Sequence, residues 1–533
     1  MQWHCPILVF TFCVAAAFAP SAVAQHEHGS SDAAALGSVN FPTSCLPAVQ
    51  SDFNRAVALL HSFWYKKSEE TFLAVAKADS SCGMAEWDVA MTHYRQLWDP
   101  PTPIDLQAGS AAVQKANATG AKTQRERDYI AAMDIFYKDS DKRPLARSTM
   151  KNRWSAFTSV IRRTSKPPSS TRWPSAPIDD KTYANQKKAS AILEKLFAEY
   201  PGHPGLAHYI IHCDDYPALA PLALEAERRY AKIAPDAPHA LHMPSHIFTR
   251  LGLWQESIDS NLASAAAAKK NGPVGDELHA MDYLAYAYLQ TGQDREALNV
   301  LASLPKVQTG DSAYFTALYA TAAIPSRLAI ERHRWSDAAA LRLPAKTFPG
   351  GQYTWTEGDL YFARALGIAR SGNADAARNA VQQMTSLRDR LLDQHNKYSA
   401  DQVDIQRETV SAWISFAEGN KEEALRQMRS AAEHEDATDK LPVTPGAIVP
   451  ARELLGEMLL ETKQPDAALE AFELALTFAP ERFNSLYGAA HAAQLNGDRQ
   501  KASAYFSKLL ANCPRPSANL PELREAKLFL TQK

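Results

Sequence analysis

The chain is 533 residues long, 46% hydrophobic and 22% charged, with a formal net charge of −2. That length bounds several ordinary domains or one long repeat array, and the apolar content predicts a folded chain. Near-neutral charge excludes a long-range pull toward nucleic acid or anionic lipid.

Residues 1–24 read as a signal peptide. Ile7 to Ala19 is an apolar run of signal-core length, too short to span a bilayer easily, and Ala22 and Ala24 form the small-residue cleavage pattern before Gln25. The stretch before the run has no Lys or Arg, so an uncleaved anchor is the alternative. No later apolar stretch is long enough to span a membrane, and the expected mature protein is periplasmic or secreted. Export governs how cysteine is read. Cys5 and Cys13 would leave with the signal, and Cys45, Cys82, Cys213 and Cys513 would remain where pairing is plausible. Residues 25–40 are expected to be a flexible tail; its "QHEHG" places histidines near a free N-terminus, an arrangement that can bind copper.

Residues 41–142 contain degenerate helix pairs, "FNRAVALLHSFWYKKSEETFLAVAKAD" and "MAEWDVAMTHYRQLW". Residues 143–185 read as a basic Pro/Ser-rich linker or irregular segment. From Arg143 to Pro177 there is no Asp or Glu, against eight Lys or Arg. An exposed linker and translation from a shifted reading frame both account for that composition.

Residues 186–310 and 311–533 are the central and C-terminal arrays. In "VPARELLGEMLLETKQPDAALEAFELALTFAP", apolar or small residues fall at Leu455, Gly456, Leu459, Ala468, Phe472 and Ala475, and Pro480 closes the second helix. Shifting by 34 turns Ala468, Phe472 and Pro480 into Ala502, Phe506 and Pro514. This resembles the tetratricopeptide repeat, two antiparallel helices with small residues where they cross. Weaker copies occupy 283–301, 362–381 and 413–432. One helix pair cannot bury its apolar stripe alone, so stacked pairs share an elongated core. The fold class expected is all-α, an α-solenoid of tetratricopeptide-like helix-turn-helix repeats. In that frame Cys45 and Cys82 each precede the first helix of successive units, close enough for a bridge worth roughly 3 kcal/mol.

"HYIIHCDDYP" (208–217) and "HALHMPSHIF" (239–248) hold five histidines. His208 and His212 are four apart, as are His242 and His246, and the second pair repeats the first after 34 residues. In the repeat frame His239 takes position two, His208 and His242 position five, and His212 and His246 position nine. In the family this resembles, those positions line the concave face where ligands bind. A further unit beginning near Leu278 puts His279, Asp282 and Tyr286 at the same three positions. Residues four apart project from one helix face, and packed helices lie about 8–10 Å apart. Four imidazoles can then reach a common transition metal ion, zinc, copper or iron, as neutral ligands. His279 and Asp282 sit at its edge, with Asp215 as ligand or orienting acceptor. A polar network inherited by duplication, or a site for an organic or peptide ligand, explains the same residues. Pro244 leaves the helix path open: it either kinks one helix or starts a new one, which would put His239 and His242 on a loop.

Other candidates are weaker. Cys213 follows His212, but adjacent helical residues point apart. Ser245 lacks a nucleophile-elbow context. His61 and His93 fit either the groove or an aromatic core. "FNRAVALLHSFWY", "HYIIHCDDYP", "HALHMPSHIFTRLGLW" and "VTPGAIVPARELLGEMLLE" together resemble a family of exported bacterial tetratricopeptide-repeat proteins without an assigned activity, a resemblance that implies fold and export but no chemistry. Two functions follow. The favoured one is a binding or scaffold protein whose groove holds a protein or peptide partner, or an ion, with Arg250 offering a fork for a carboxylate beside Tyr286 and the histidines. The other is a metal-dependent hydrolase or oxidative enzyme using His208, His212, His242 and His246. Four saturating histidines argue for storage or structure, whereas three plus an open position argue for chemistry. No catalytic residue is nominated.

Overall fold

In the computed structural model, residues 35–95, 101–138, 181–307, 315–343, 354–438, 443–517 and 519–532 are described. The expected signal peptide, the "QHEHG" run and the acid-free stretch 143–177 lie outside them. The described residues belong to the unit Ala35–Lys533.

The first helices are α1 (Gln50–His61), α2 (Tyr65–Ala78), α3 (Gly83–Tyr94), α4 (Pro103–Thr119) and α5 (Gln124–Lys138). Phe41, Phe53, Phe72 and Trp87 form their aromatic core, Phe53 and Phe72 meeting edge-on at 5.4 Å between centroids. Helix α4 starts where Thr102 and Asp105 cap each other reciprocally. Cys45 and Cys82 form a disulfide with Cα atoms 4.8 Å apart. It ties the entry to α1 to the residue that caps α3.

Next come α6 (Ala184–Glu199), α7 (Pro204–Asp214), α8 (Ala220–Ile233), α9 (Pro238–His242), α10 (Pro244–Leu251), α11 (Trp254–Asn271), α12 (Val274–Gln290) and α13 (Asp294–Ser303). Proline opens α7, α9 and α10, where its missing N–H costs little. Between α9 and α10, Met243 keeps helical dihedrals, φ −50° and ψ −38°. The chain therefore continues along one helical path across Pro244, and His239 and His242 are on helical turns rather than a loop. The unit expected near Leu278 begins earlier, at Val274. The extra length before it is absorbed by the 18-residue α11 and not by a loop.

The C-terminal half contains α14 (Phe315–Ile330), α15 (Trp335–Ala339), α16 (Gly358–Arg370), α17 (Ala374–Asp393), α18 (Lys397–Ala417), α19 (Lys421–Ala437), α20 (Ala451–Glu461), α21 (Pro465–Phe478), α22 (Phe483–Leu495), α23 (Arg499–Asn512) and α24 (Pro521–Thr531). The Phe472 ring wedges between α20 and α22. A Cβ on Gly456 would come within 2.7 Å of it and one on Gly488 within 2.3 Å, so both crossings require glycine. The turn between α18 and α19 carries Gly419 at φ +84°, a left-handed geometry that glycine adopts without strain. Each helix packs chiefly on its neighbours in sequence, and no strand occurs among the described residues. The architecture is an all-α solenoid. No helix among the described residues is long and apolar enough to cross a membrane.

Candidate metal centre

The first helices of three successive units bring six histidines together. Helix α7 carries His208 and His212, α9 carries His239 and His242, α10 carries His246, and α12 carries His279. Their ring nitrogens form two sets of three, His208/His212/His239 and His242/His246/His279, with ligand atoms in each set within 4.8 Å of one another. His208 Nε2 lies 3.0 Å from the Nε2 atoms of both His212 and His239. His242 Nε2 and His246 Nε2 are likewise 3.0 Å apart. Two imidazoles sharing a tetrahedral ion at about 2.0–2.1 Å would have nitrogens about 3.3 Å apart, so the spacing fits metal ligation.

The opposite ring nitrogens fix which atom is available. His208 Nδ1 donates to the His61 carbonyl at 2.6 Å. His246 Nδ1 donates to Asp215 Oδ2 at 2.9 Å. His242 Nδ1 donates to Asn261 Oδ1 at 2.7 Å, and the Asn261 amide is oriented by its own donation to the Ser257 carbonyl at 2.7 Å. With the proton held on Nδ1, each Nε2 turns a lone pair toward the next. Metal-binding histidines show this arrangement: one nitrogen anchored to a carbonyl or carboxylate, the other free for the ion. Burial pushes His208 down to about 3. It also holds His212, His239, His242 and His279 well below the usual imidazole range, with neighbouring histidines adding to the effect. Burial therefore favours the neutral form of these five rings.

Asp215 ends α7 and is fully buried. Burial opposes its ionisation, yet Arg250 and His246 together hold its carboxyl below the ordinary range. It is an orienting acceptor for His246, absent from both sets of facing nitrogens. Phe63, in a left-handed conformation at φ 55°, lays its ring 4.3 Å from the His208 centroid and 5.0 Å from that of His239. The Tyr283 ring packs 4.8 Å from His242 and 5.1 Å from His246.

Three other residues assigned to this groove have different partners. Asp282 turns to Arg327, 3.3 Å away, and is absent from both ligand sets. Tyr286 accepts from Arg482 at 3.0 Å and lies under the Arg327 guanidinium, outside the histidine centre. Arg250 is 5% exposed, and its fork is already used. It donates to Asp215 at 2.8 Å, to the Pro445 carbonyl at 2.8 Å and to the Thr444 carbonyl at 2.9 Å. Arg327 similarly donates to the Gly446 and Ala447 carbonyls, each at 2.8 Å, and the Tyr283 hydroxyl donates to the Val443 carbonyl at 3.3 Å. The protein's own segment 443–447 thus crosses this face as a strap, held through main-chain carbonyls.

His61 joins the surroundings through its carbonyl and through Tyr209, whose hydroxyl is 2.8 Å from its Nδ1. His93 lies elsewhere, between Asp105 and Glu69, each 3.2 Å away. Cys213 and Cys513 are unpaired and buried; burial pushes the Cys213 thiol up, away from nucleophilic use. The sequence reading passed over Asn261, Tyr283 and Phe63. Only Tyr283 carried a signal, being four residues after His279 on the same face.

Comparison with known proteins agrees with the repeat. Residues 449–482 match the tetratricopeptide repeat. The chain carries one recognisable tetratricopeptide repeat there. No curated protein matches. Among solved structures this repeat protein is similar to the P58(IPK) TPR domain, at 13% identity over 66% of this chain and 95% of that one, with a TM-score of 0.22. The histidine centre lies outside the matched repeat.

Proposed function

We propose that this is an exported repeat protein, periplasmic or secreted, that binds a transition metal through the Nε2 atoms of the histidines on its first helices. The observation that carries the reading is the His242–His246 contact. Two nitrogens face each other at 3.0 Å, while Asn261 and Asp215 hold the proton of each ring on its far side. No proton is left to bridge them, and burial disfavours adding one; a cation resolves the contact. Tetratricopeptide domains generally mediate protein–protein contacts. A protein or peptide partner of this one would bind beside the strap at 443–447 or displace it. The test is the metal content of the chain after growth with zinc, copper and iron supplied, compared with His212→Ala and His246→Ala. The expected result is stoichiometric metal in the wild type and a marked loss in each variant. A wild type without metal would leave the histidines as a polar network copied by duplication.

A further inference from the structure

We infer that the six histidines hold two copper ions side by side, three imidazoles to each, and that the pair takes up dioxygen between the ions. This rests on the metal-binding reading above and goes beyond it in number, identity and chemistry.

The number follows from the spacing. Ring centroids of His212 and His246 are 6.0 Å apart, and those of His239 and His242 are 6.1 Å apart. Within the sets, His212–His239 spans 6.3 Å and His246–His279 spans 5.9 Å. The other within-set pairs are closer, at 4.3–4.9 Å, so the histidines fall into two distinct but adjoining triads. Six imidazoles exceed what one tetrahedral ion accepts, whereas three per ion leave one position open on each.

The identity follows from charge. Every proposed ligand is an imidazole, and neither triad contains a carboxylate or a thiolate. The carboxylate bonded to the cluster, Asp215, is already matched by Arg250, and nearby Asp282 is matched by Arg327. Neither of these carboxylates is left to offset buried cations. The cost of burying an ion grows with the square of its charge, so two monovalent ions are favoured over two divalent ones. Among metals suited to imidazole, copper has a stable monovalent state.

The chemistry follows from the open positions. Each cuprous ion gives one electron and becomes cupric. Dioxygen accepts both electrons and bridges the pair as peroxide; its O–O bond order falls from two to one, and no proton is consumed. Phe63 and Tyr283 pack against the two sets and limit the bridging ligand to a small one. His212, the least buried of the six, marks the side of entry.

The full chain is titrated anaerobically with cuprous copper and then exposed to oxygen. The expected result is two copper ions bound per chain, one dioxygen taken up per two coppers, and cupric ions silent in electron paramagnetic resonance because they are coupled. His239→Ala and His279→Ala, checked for folding by circular dichroism, should each retain one copper and show an uncoupled cupric signal on oxidation. One copper per wild-type chain, or two giving separate uncoupled signals, overturns the pair while leaving a metal site. No copper bound overturns the pair; no zinc or iron bound either overturns the metal site itself.

Discussion

Two buried polar clusters lie on adjacent units of the solenoid, and they solve opposite problems. Around Arg482, one guanidinium bridges two buried carboxylates. The guanidinium donates to Glu453 at 2.9 and 2.8 Å, to Glu331 at 2.8 Å and to the Tyr286 hydroxyl at 3.0 Å. Asn484 donates to the remaining Glu331 oxygen, Oε2, and Ser485 donates to Glu453 Oε2 beside Arg482 Nε. Donors and acceptors balance inside the protein, and the cluster ties α14, α20 and α22 together. In the histidine centre the Nδ1 donors of His208, His242 and His246 point outward to His61, Asn261 and Asp215, and the Nε2 lone pairs of His242 and His246 point inward at one another. Burial of polar groups alone does not identify a binding site. What separates the two clusters is that the facing His242 and His246 nitrogens have no donor between them.

The contrast is sharpest where one change should separate stability from metal binding. Arg482→Ala leaves two buried carboxylates without their cation. Urea unfolding should show a loss of about 3–5 kcal/mol, with copper bound per folded chain unchanged. Equal loss of both would mean the clusters are not separate. In the other direction, Asn261→Leu keeps similar volume but removes the acceptor for His242 Nδ1. Metal affinity, measured by competition with a chelator, should fall about 10–100-fold, with a stability cost of about 1–3 kcal/mol for the unpaired ring N–H. Unchanged affinity would show that the proton on His242 does not need holding.

The smallest effect concerns an imidazole that does find carboxylates. Asp105, then Glu69, raises His93 to about 9. Its folded value exceeds the unfolded one, so this contribution is fully present below about pH 6.5 and is lost as pH rises through about 9. Stability should therefore drop by about 1 kcal/mol across that window, after allowance for solvent screening. His93→Gln should flatten the pH dependence, and an unaltered slope in that variant would remove His93 from the explanation.

The legible part of the molecule was periodic. Gly456 and Phe472 announced a helix crossing, and that crossing exists because the ring fills the space a Cβ would take. The histidines were legible for the same reason, since four-residue spacing fixes a shared face. Register, however, gives a residue its face and not its partner. Asp282 and Tyr286 have the right register, but Arg327 and Arg482 claim them, the latter from 196 positions away. Arg250 looked available until the strap arrived from 194 and 195 positions later in the chain. Long-range closure of this kind leaves no local pattern. Met243 shows the reverse case: a proline that left the helix path undecided in sequence is accommodated because the residue before it keeps helical dihedrals.

His208, His242 and His246 turn their Nε2 lone pairs inward. Nitrogen NMR of histidine-labelled protein, recorded without metal and with diamagnetic cuprous copper, tests this most directly. The account predicts that His208, His242 and His246 keep the proton on Nδ1 in both states, and that their Nε2 resonances shift when copper is added. A proton on Nε2 of His242 or His246 in both states, with no shift on adding copper, would show an ordinary hydrogen-bond chain and contradict the claim.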